Sequence, residues 1–367
     1  MAVAEMIERF TVSRDDAIHE SFPDLALAAN GDLVVTYQES ECHGGGPVST
    51  IVVRWSADEG QTWSDRIVIA ETARERDGWL NCSRITRLHD GTLLLVVDCI
   101  PQNAPSGAHR WWGDNRAVTW LFRSADHGRS WSGPEVTRVR GGIVPSITQL
   151  ADGTLLIGIT SFEEDNDWRQ YQVLFRSEDL GRTWSGPLLV ARHDARQPNE
   201  GDFVELPTGE IVCYMRDDEA GVQNGLKAIS RDGGRTWGDL YGSGPWLYMG
   251  RPSVGLLSTG EVFLTTRVGA PQAGHCFGAY LEPPGAALRP TPLTDPPAPQ
   301  AHWAILDDDD NPEVPDWGYS GWVELPDRSV YAVQYITTAA APPHKPFLRG
   351  YLIPRAAIDG FTRPEPQ

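Results

Sequence analysis

The chain is short of basic residues and cysteine, and it has no long apolar run. Its 31 Lys and Arg face 50 Asp and Glu, and the net charge of −19 repels nucleic-acid backbones and anionic membranes. The five cysteines include no CxxC pair and the histidines show no metal-ligand spacing, so no disulfide framework, metal site or other cofactor is expected. No run reaches the roughly 18 apolar residues of a membrane span, and the N-terminus lacks signal-peptide character. The sequence therefore predicts a cytoplasmic protein without nucleic-acid or membrane partners.

Glycine and proline, by contrast, are abundant, with 37 and 28 residues among the 367. Hydrophobic residues make up 40 %, which is enough for a packed core and excludes wholesale disorder. Frequent Gly and Pro favour an all-β chain with many tight turns over a helical bundle.

A hairpin-like segment, made of two apolar strands joined by a tight turn, recurs six times. Five of the six turns contain the Gly that a turn with positive φ prefers, as in Asn30-Gly31 and Asp90-Gly91. Neighbouring turns lie about 60 residues apart, which suits one four-stranded propeller blade with its loops. The segments begin at Phe22, Cys82, Val144, Gly201, Arg251 and Gly321.

A second repeat, S-x-D-x-G-x-[ST]-W, follows each of the first four hairpins, at residues 56–63, 124–131, 177–184 and 230–237. In such a turn Asp and Ser/Thr side chains bond to backbone groups, Gly adopts a conformation closed to other residues, and Trp packs between blades. These segments resemble the Asp-boxes of the sialidase-like (BNR) propeller superfamily. The resemblance implies a structural role for the four boxes and an active site on the opposite face.

The two repeats together predict an all-β fold, a six-bladed β-propeller with four Asp-box turns that forms one domain over residues 1–367. The blades are expected near residues 14–78, 79–140, 141–197, 198–247, 248–313 and 314–354. An outer strand from one terminus, either residues 10–13 or residues 346–352, is expected to close the ring.

The geometry of a propeller indicates where a site would lie. First strands line the central channel and second strands run antiparallel beside them, so the starts of the first and the ends of the second share one face. Apolar residues would suffice to pack the blades, yet charged residues are concentrated at this channel mouth. Four arginines there could bind the anionic or polar face of a sugar, and ion pairing is the alternative for Arg84 and Arg251. The candidate site residues are His19, Gln38, Arg84, Asp98, Glu200, Asp202, Arg216, Arg251, Arg267 and Tyr319.

Two segments at this mouth resemble sialidase sequences. Residues 198–216 resemble the stretch in which a Glu begins one strand and an Arg ends the next, and residues 316–335 resemble the stretch with the Tyr-Ser pair. The resemblance implies that Tyr319 is the nucleophile, Glu200 the base that polarises its hydroxyl, and Arg216 one of three arginines that hold a carboxylate. A phenol attacks well once a carboxylate draws its proton, and it repels an anionic substrate less than a carboxylate would.

The chain departs from the sialidase pattern at two positions. Where sialidases open the first blade with an Arg-Ile-Pro-like motif, this chain has Glu20-Ser-Phe22-Pro, without arginine. Where their acid/base Asp follows the first hairpin, it has a glycine-rich loop with Glu41 and His43. His43, Glu41 and Asp98 are therefore the candidate acid/base residues. A surface-loop histidine without a role is the alternative for His43.

Two adjacent indoles, Trp111 and Trp112, lie in the loop after the second hairpin, on the same face. Aromatic faces stack on the C–H faces of sugar rings, so the pair is a candidate wall of the pocket. Packing between blades is the alternative for one of them.

The resemblance, together with these residues, implies an exo-acting glycoside hydrolase of the sialidase-like superfamily. Its carbohydrate substrate is expected to end in a sialic acid or another acidic or deoxy sugar, and its mechanism is expected to be retaining. Two alternatives stay open. One is a polysaccharide lyase or rhamnosyl-uronate hydrolase on the same propeller, and a lyase would release an unsaturated uronate. The other is a carbohydrate-binding propeller without turnover, which the missing first-blade arginine favours and the set of Tyr319, Glu200 and Arg216 disfavours.

Overall fold

The computed structural model describes residues 3–101, 115–143, 146–219, 225–243, 248–270, 274–293, 302–308, 317–338, 342 and 345–361. Within these residues six antiparallel sheets follow one another along the chain, five with four strands and one with five. The arrangement is a six-bladed β-propeller, so the predicted all-β fold is confirmed.

The first half of the chain forms three blades. A short 3-10 helix, Val3–Met6, precedes strand β1, Glu8–Ser13. The strands of the first blade are β2 (His19–Leu27), β3 (Leu33–Cys42), β4 (Gly45–Ser56) and β5 (Ile67–Ala73), followed by helix α1 (Arg74–Asp77). Those of the second blade are β6 (Trp79–Arg87), β7 (Leu93–Ile100), β8 (Val118–Ser124) and β9 (Ser132–Arg140). Those of the third are β10 (Ser146–Gln149), β11 (Leu155–Glu163), β12 (Arg169–Ser177) and β13 (Ser185–Ala191).

Three further blades follow. The strands of the fourth are β14 (Pro198–Glu205), β15 (Ile211–Asp217), β16 (Gly225–Ser230) and β17 (Tyr241–Ser243). The elements of the fifth are β18 (Tyr248–Met249), β19 (Ser253–Leu256), β20 (Val262–Ala270), β21 (Gly274–Glu282), helix α2 (Pro284–Ala287) and β22 (His302–Asp308). Those of the sixth are β23 (Trp317–Glu324), β24 (Val330–Ile336), β25 (Phe347–Ile353) and the following helix α3 (Arg355–Asp359). The described part of the chain contains no helix long and apolar enough to cross a membrane.

Both ends of the chain complete the sixth blade, whose strand order is β23–β24–β25–β1. Strand β1 pairs with β25, with Glu8 opposite Leu352 and Phe10 opposite Gly350. The sequence named the two terminal segments as alternatives for one closing strand, whereas the structure uses both, as the third and fourth strands. Without β1 the backbone groups along one edge of β25 would be unpaired, and β1 supplies the missing hydrogen bonds.

The four S-x-D-x-G-x-[ST]-W segments form closely similar turns between the third and fourth strands of their blades. In the second blade the Asp126 carboxylate accepts hydrogen bonds from the Ser124 hydroxyl and the Ser130 N–H, both at 2.8 Å. Gly128 adopts a φ of 86°, and the Trp131 indole N–H donates to its carbonyl at 3.1 Å. The indole is thereby fixed to its own turn and packs against the core between the first two blades.

The hydrophobic core lies between neighbouring blades. Between the first and the sixth, Val35 and Val52 pack against Val333 and Leu348, and all four side chains are fully buried. Alternating apolar residues on the strands give each blade two packing faces, and the ring of blades buries both.

Polar side chains near the channel tie adjacent blades together. Asp24 of the first blade accepts a hydrogen bond from the Ile85 N–H of the second at 2.8 Å. Asp202 of the fourth accepts one from the Val254 N–H of the fifth at 2.8 Å. On the side of the channel away from the starts of the first strands, a cavity of about 540 Å³ follows their later halves. Of the candidate site residues, Arg84 and Asp202 line this cavity, whereas Tyr319 and Glu200 lie at the other end of the channel.

Candidate active site

Tyr319 on β23 and Glu200 on β14 meet at the channel mouth, although 119 positions separate them in the chain. The Tyr319 hydroxyl donates a hydrogen bond to Glu200 Oε1. Tyr319 is 8 % exposed and Glu200 is 2 % exposed, so water competes little for this bond. The structure therefore places a phenol and a carboxylate in direct contact at the position where the sequence predicts a nucleophile and its base.

A local irregularity of β14 directs Glu200 toward Tyr319. The pairing of β14 with β15 shifts register between Asn199 and Asp202, and Glu200 adopts a φ of 48°. A β-bulge of this kind takes a side chain out of the regular alternation of a strand. Positive φ costs a non-glycine residue on the order of 1 kcal/mol, which neighbouring contacts must offset. The Thr160 hydroxyl helps to hold this backbone, because it accepts the Glu200 N–H at 2.9 Å.

Arg216 at the end of β15 is the charged partner of Glu200. Its Nη1 lies 3.1 Å from Glu200 Oε2, and its Nε lies 2.7 Å from Asp218 Oδ1. Burial alone would raise the pKa of Glu200, but Arg216, Arg251 and the Tyr319 hydroxyl together outweigh burial and hold that pKa below its usual value. Glu200 is therefore ionised and able to accept a proton.

Two further arginines face the ring of Tyr319. The guanidinium carbons of Arg251 and Arg267 lie 4.9 Å and 5.5 Å from the ring centroid. Burial and the charge of Glu200 raise the pKa of Tyr319 well above its usual value, and Arg216 and Arg267 oppose that rise. The phenol is therefore neutral, and the positive charge beside it contrasts with the net charge of −19 of the whole chain.

The opposite side of Tyr319, toward the first blade, is aromatic. The ring centroid of Phe22 lies 5.3 Å from that of Tyr319, 5.3 Å from that of His43 and 5.4 Å from that of Tyr335. Phe22 adopts a φ of 56° at a register shift in β2, much as Glu200 does in β14. The sequence reasoning missed Phe22 and Tyr335 as neighbours of the nucleophile, although both lie at strand ends that open on the mouth.

His43 lies in a tight turn instead of the expected glycine-rich loop. Cys42 of β3 pairs with Gly45 of β4, which leaves only His43 and Gly44 between them. Arg74 of α1 fixes this turn by donating a hydrogen bond to the Gly44 carbonyl at 2.8 Å. His43 itself is exposed to solvent. His43 is therefore an exposed side chain on a turn whose backbone Arg74 holds, two ring contacts from Tyr319.

The other two acid/base candidates are placed differently. Glu41 is exposed, and among the described residues no hydrogen bond or ion pair joins it to Tyr319 or Glu200. Asp98 is fully buried at the end of β7 and accepts a hydrogen bond from the Asn81 amide at 3.3 Å. Burial raises the pKa of the Cys82 thiol to about 12, Arg251 opposes that rise, and the charges of Asp98 and Glu200 add to it.

Three predicted substrate-binding residues bond within the fold. Arg84 is buried, lies 3.3 Å from Asp24 Oδ1, and donates to the Ser320 carbonyl. Asp202 accepts backbone N–H groups, and burial raises its pKa to about 6. The Gln38 amide donates to the Ser49 hydroxyl at 2.9 Å and the Leu80 carbonyl at 2.5 Å. Buried polar groups require such partners, and the fold supplies them for these three; their contact with substrate stays a prediction.

The remaining expectations concern the indoles and metal binding. Trp111 and Trp112 lie outside the described residues, so their role as a pocket wall stays a prediction. Within the ranges that the structure describes, no group of three or more His, Cys, Asp or Glu side chains could hold a metal ion.

The six-bladed ring with four repeated turns has the fold of the sialidase-like propellers, and a Tyr–Glu pair lies among arginines at its mouth. The match to known families makes this more specific. Residues 26–266 match the model of the BNR repeat-like domain, and the chain belongs to that family. No curated protein sequence matches it.

Solved structures with the same fold are distant in sequence. A protein of unknown function from Dyadobacter fermentans is 20 % identical, with a TM-score of 0.76 and coverage of 95 % of this chain and 98 % of that one. The leech intramolecular trans-sialidase is 14 % identical, with a TM-score of 0.69 and coverage of 96 % and 70 %. The α-L-arabinofuranosidase Arb93A of Fusarium graminearum is 14 % identical, with a TM-score of 0.61 and coverage of 95 % and 96 %. At these identities the likeness shows the fold.

Proposed function

We propose that the protein is an exo-acting glycoside hydrolase that removes a terminal sialic acid, or another acidic or deoxy sugar, with retention of configuration. The main supporting observation is the buried hydrogen bond from the Tyr319 hydroxyl to the ionised Glu200. Distant propellers of the same fold that are named as a trans-sialidase and an arabinofuranosidase are consistent with a glycosidase.

In the first step the Tyr319 oxygen attacks the anomeric carbon while its proton passes to Glu200. The bond from the anomeric carbon to the leaving oxygen breaks, and a glycosyl–tyrosine intermediate forms. Water then attacks the same carbon, and the phenol recovers its proton from Glu200. Glu200 suits this role because Arg216 keeps it ionised until the proton arrives.

Three arginines favour an anionic substrate. Arg216 and Arg267 are half-buried, so their guanidinium groups can reach a carboxylate in the pocket. Arg251 is buried, and its guanidinium carbon lies 4.9 Å from the centroid of the Tyr319 ring. Guanidinium groups bind carboxylates through paired, charge-assisted hydrogen bonds.

His43 is the proposed acid/base. It would donate a proton to the leaving oxygen and later take one from the attacking water. The support for His43 over Glu41 is its ring contact with Phe22, which in turn contacts Tyr319. Its support over Asp98 is its exposure to solvent, because a leaving group must be released into solvent, whereas Asp98 is fully buried.

A panel of aryl glycosides and acidic oligosaccharides tests the proposal. We expect one acidic sugar to be released with retention, Tyr319→Phe to lose that activity, and mass spectrometry of the quenched wild type to detect a sugar on Tyr319. Tyr335→Phe is the matched control, since its ring lies 6.3 Å from that of Tyr319. Equal rates for wild type and Tyr319→Phe would refute the nucleophile. An unsaturated, absorbing uronate would select a lyase, and tight glycan binding without product would select a binding protein.

A further inference from the structure

His19, predicted to contact substrate, is the first residue of β2 and is fully buried, with 0 % exposed. Its ring lies 5.6 Å from that of His43, at an interplanar angle of 86°. It also lies 6.4 Å from the ring of Tyr335. A side chain so enclosed cannot touch a sugar in the pocket, and it can influence the site only through the groups that it packs against.

His43 is the exposed member of this group, and it is bordered by rings on two sides. Phe22 contacts it nearly perpendicularly, at 85° and 5.3 Å, and His19 contacts it at 86°. Edge-to-face contacts of this kind are directional, so together they restrict rotation of the imidazole about its side-chain bonds. The backbone beneath is also fixed, because Arg74 donates hydrogen bonds to the carbonyls of Gly44 and Gly46.

We propose that His19 is a positioning residue, which together with Phe22 holds the His43 imidazole in the orientation needed for proton transfer beside Tyr319. This inference rests on the proposed function, in which His43 is the acid/base. Proton transfer requires donor and acceptor within about 3 Å, and a misplacement of about 1 Å can cost on the order of a hundredfold in rate. An exposed histidine without such contacts would spend most of its time in other rotamers.

The first test needs no substrate. In protein labelled with ¹³C-histidine, the signals of His43 are assigned among the nine histidines by their loss in His43→Gln. We expect the ring current of Phe22 to shift the NMR signals of the His43 ring protons in the wild type and in His19→Phe. In His19→Ala the chemical shifts of these protons should move toward those of a mobile histidine. Unchanged His43 signals in His19→Ala, in a protein that still unfolds cooperatively, would overturn the proposal.

The second test is kinetic, on a substrate found with the panel. We expect His19→Ala to lower kcat by about tenfold to a hundredfold with KM changed less than about twofold, and His19→Phe to restore most of kcat. In a His43→Ala background, His19→Ala should lower kcat no further, because its effect passes through His43. An equal fall in both backgrounds would show that His19 acts on the fold, and would refute positioning.

The two tests separate the two proposals. If the His43 signals respond as expected but no sugar of the panel is hydrolysed, the proposed function is refuted. The finding that His19 and Phe22 hold the His43 imidazole is then retained. If a sugar is hydrolysed and His43→Ala keeps full activity, the acid/base assignment fails, and the positioning role fails with it. Should His19→Ala not fold, His19→Asn replaces it as the variant that lacks the edge-to-face contact of an aromatic ring.

Discussion

Glu200→Gln is the most informative single change at the site, because it keeps the shape of the side chain and removes its charge. The glutamine oxygen can still accept a hydrogen bond from Tyr319, but it cannot take the proton. Arg216 loses the partner at 3.1 Å and keeps Asp218 at 2.7 Å. The variant therefore removes the proposed base and leaves most of the charge network in place.

The expected loss of kcat is about a thousandfold. General bases contribute roughly a hundredfold to ten-thousandfold, and a thousandfold corresponds to about 4 kcal/mol of transition-state stabilisation. The free energy of unfolding should fall less, by about 1–3 kcal/mol. Breaking a buried ion pair costs about 3–5 kcal/mol, but the Arg216 side chain is 20 % exposed and retains Asp218. The variant should therefore remain folded.

The assay is kcat and KM on a series of aryl glycosides with leaving groups of different acidity, together with urea unfolding. If Glu200→Gln slows formation of the glycosyl–tyrosine, poor leaving groups should suffer most. Glu205→Gln is the matched control, since Glu205 is on the same strand and accepts the Ala151 N–H at 2.6 Å, away from the mouth. A kcat within about threefold of the wild type would refute Glu200 as the base.

Three further predictions concern stability. Asp126→Ala should lower the free energy of unfolding by about 1–3 kcal/mol, because it removes hydrogen bonds from Ser124 and Ser130 that are worth about 1 kcal/mol each. Urea unfolding measures this loss, and an unchanged free energy of unfolding would contradict the structural role of the turn. Burial raises the pKa of Glu20 from 4.5 to about 7. The contribution of Glu20 to the free energy of unfolding is therefore complete below about pH 4.5 and is lost as the pH rises through about 7. In urea unfolding Glu20→Gln should lack this decline in stability, and equal pH slopes for the variant and the wild type would contradict the prediction. Deleting residues 1–13 removes the strand that pairs with β25 and should lower the free energy of unfolding by about 3 kcal/mol or more. Thermal unfolding would detect this loss, and an unchanged Tm would contradict the closure of the sixth blade by β1.

The fold was predictable from the sequence because its determinants are local. Each turn motif places its Gly, Asp and Trp within eight positions, and the motif repeats in phase with the hairpins. Propeller geometry then predicts that Tyr319 and Glu200 lie on one face, and this prediction does not require that their contact be known. Four copies of the turn motif and six of the hairpin are sufficient for this step.

The rest of the site depended on contacts between blades, which no local pattern encodes. Arg84 was a candidate ligand with ion pairing as its alternative, and it pairs with Asp24, because both side chains are buried between the first strands of two blades. Phe22 contacts Tyr319 only because a bulge in β2 redirects it. Bulge positions and the partners of buried charges follow from packing, so the sequence could list charged candidates but could not separate scaffold from site.

The closure of the ring by β1 has a consequence for how the chain folds. Glu8 pairs with Leu352, so β1 has no partner until all six blades and β25 have been synthesised. The blades, built from sequential hairpins, can form as they emerge, whereas this last contact must overcome the loop entropy of the complete chain. We therefore expect ring closure to be the final folding event. A circular permutant that places residues 1–13 after the present C-terminus would make this contact local and should speed that step.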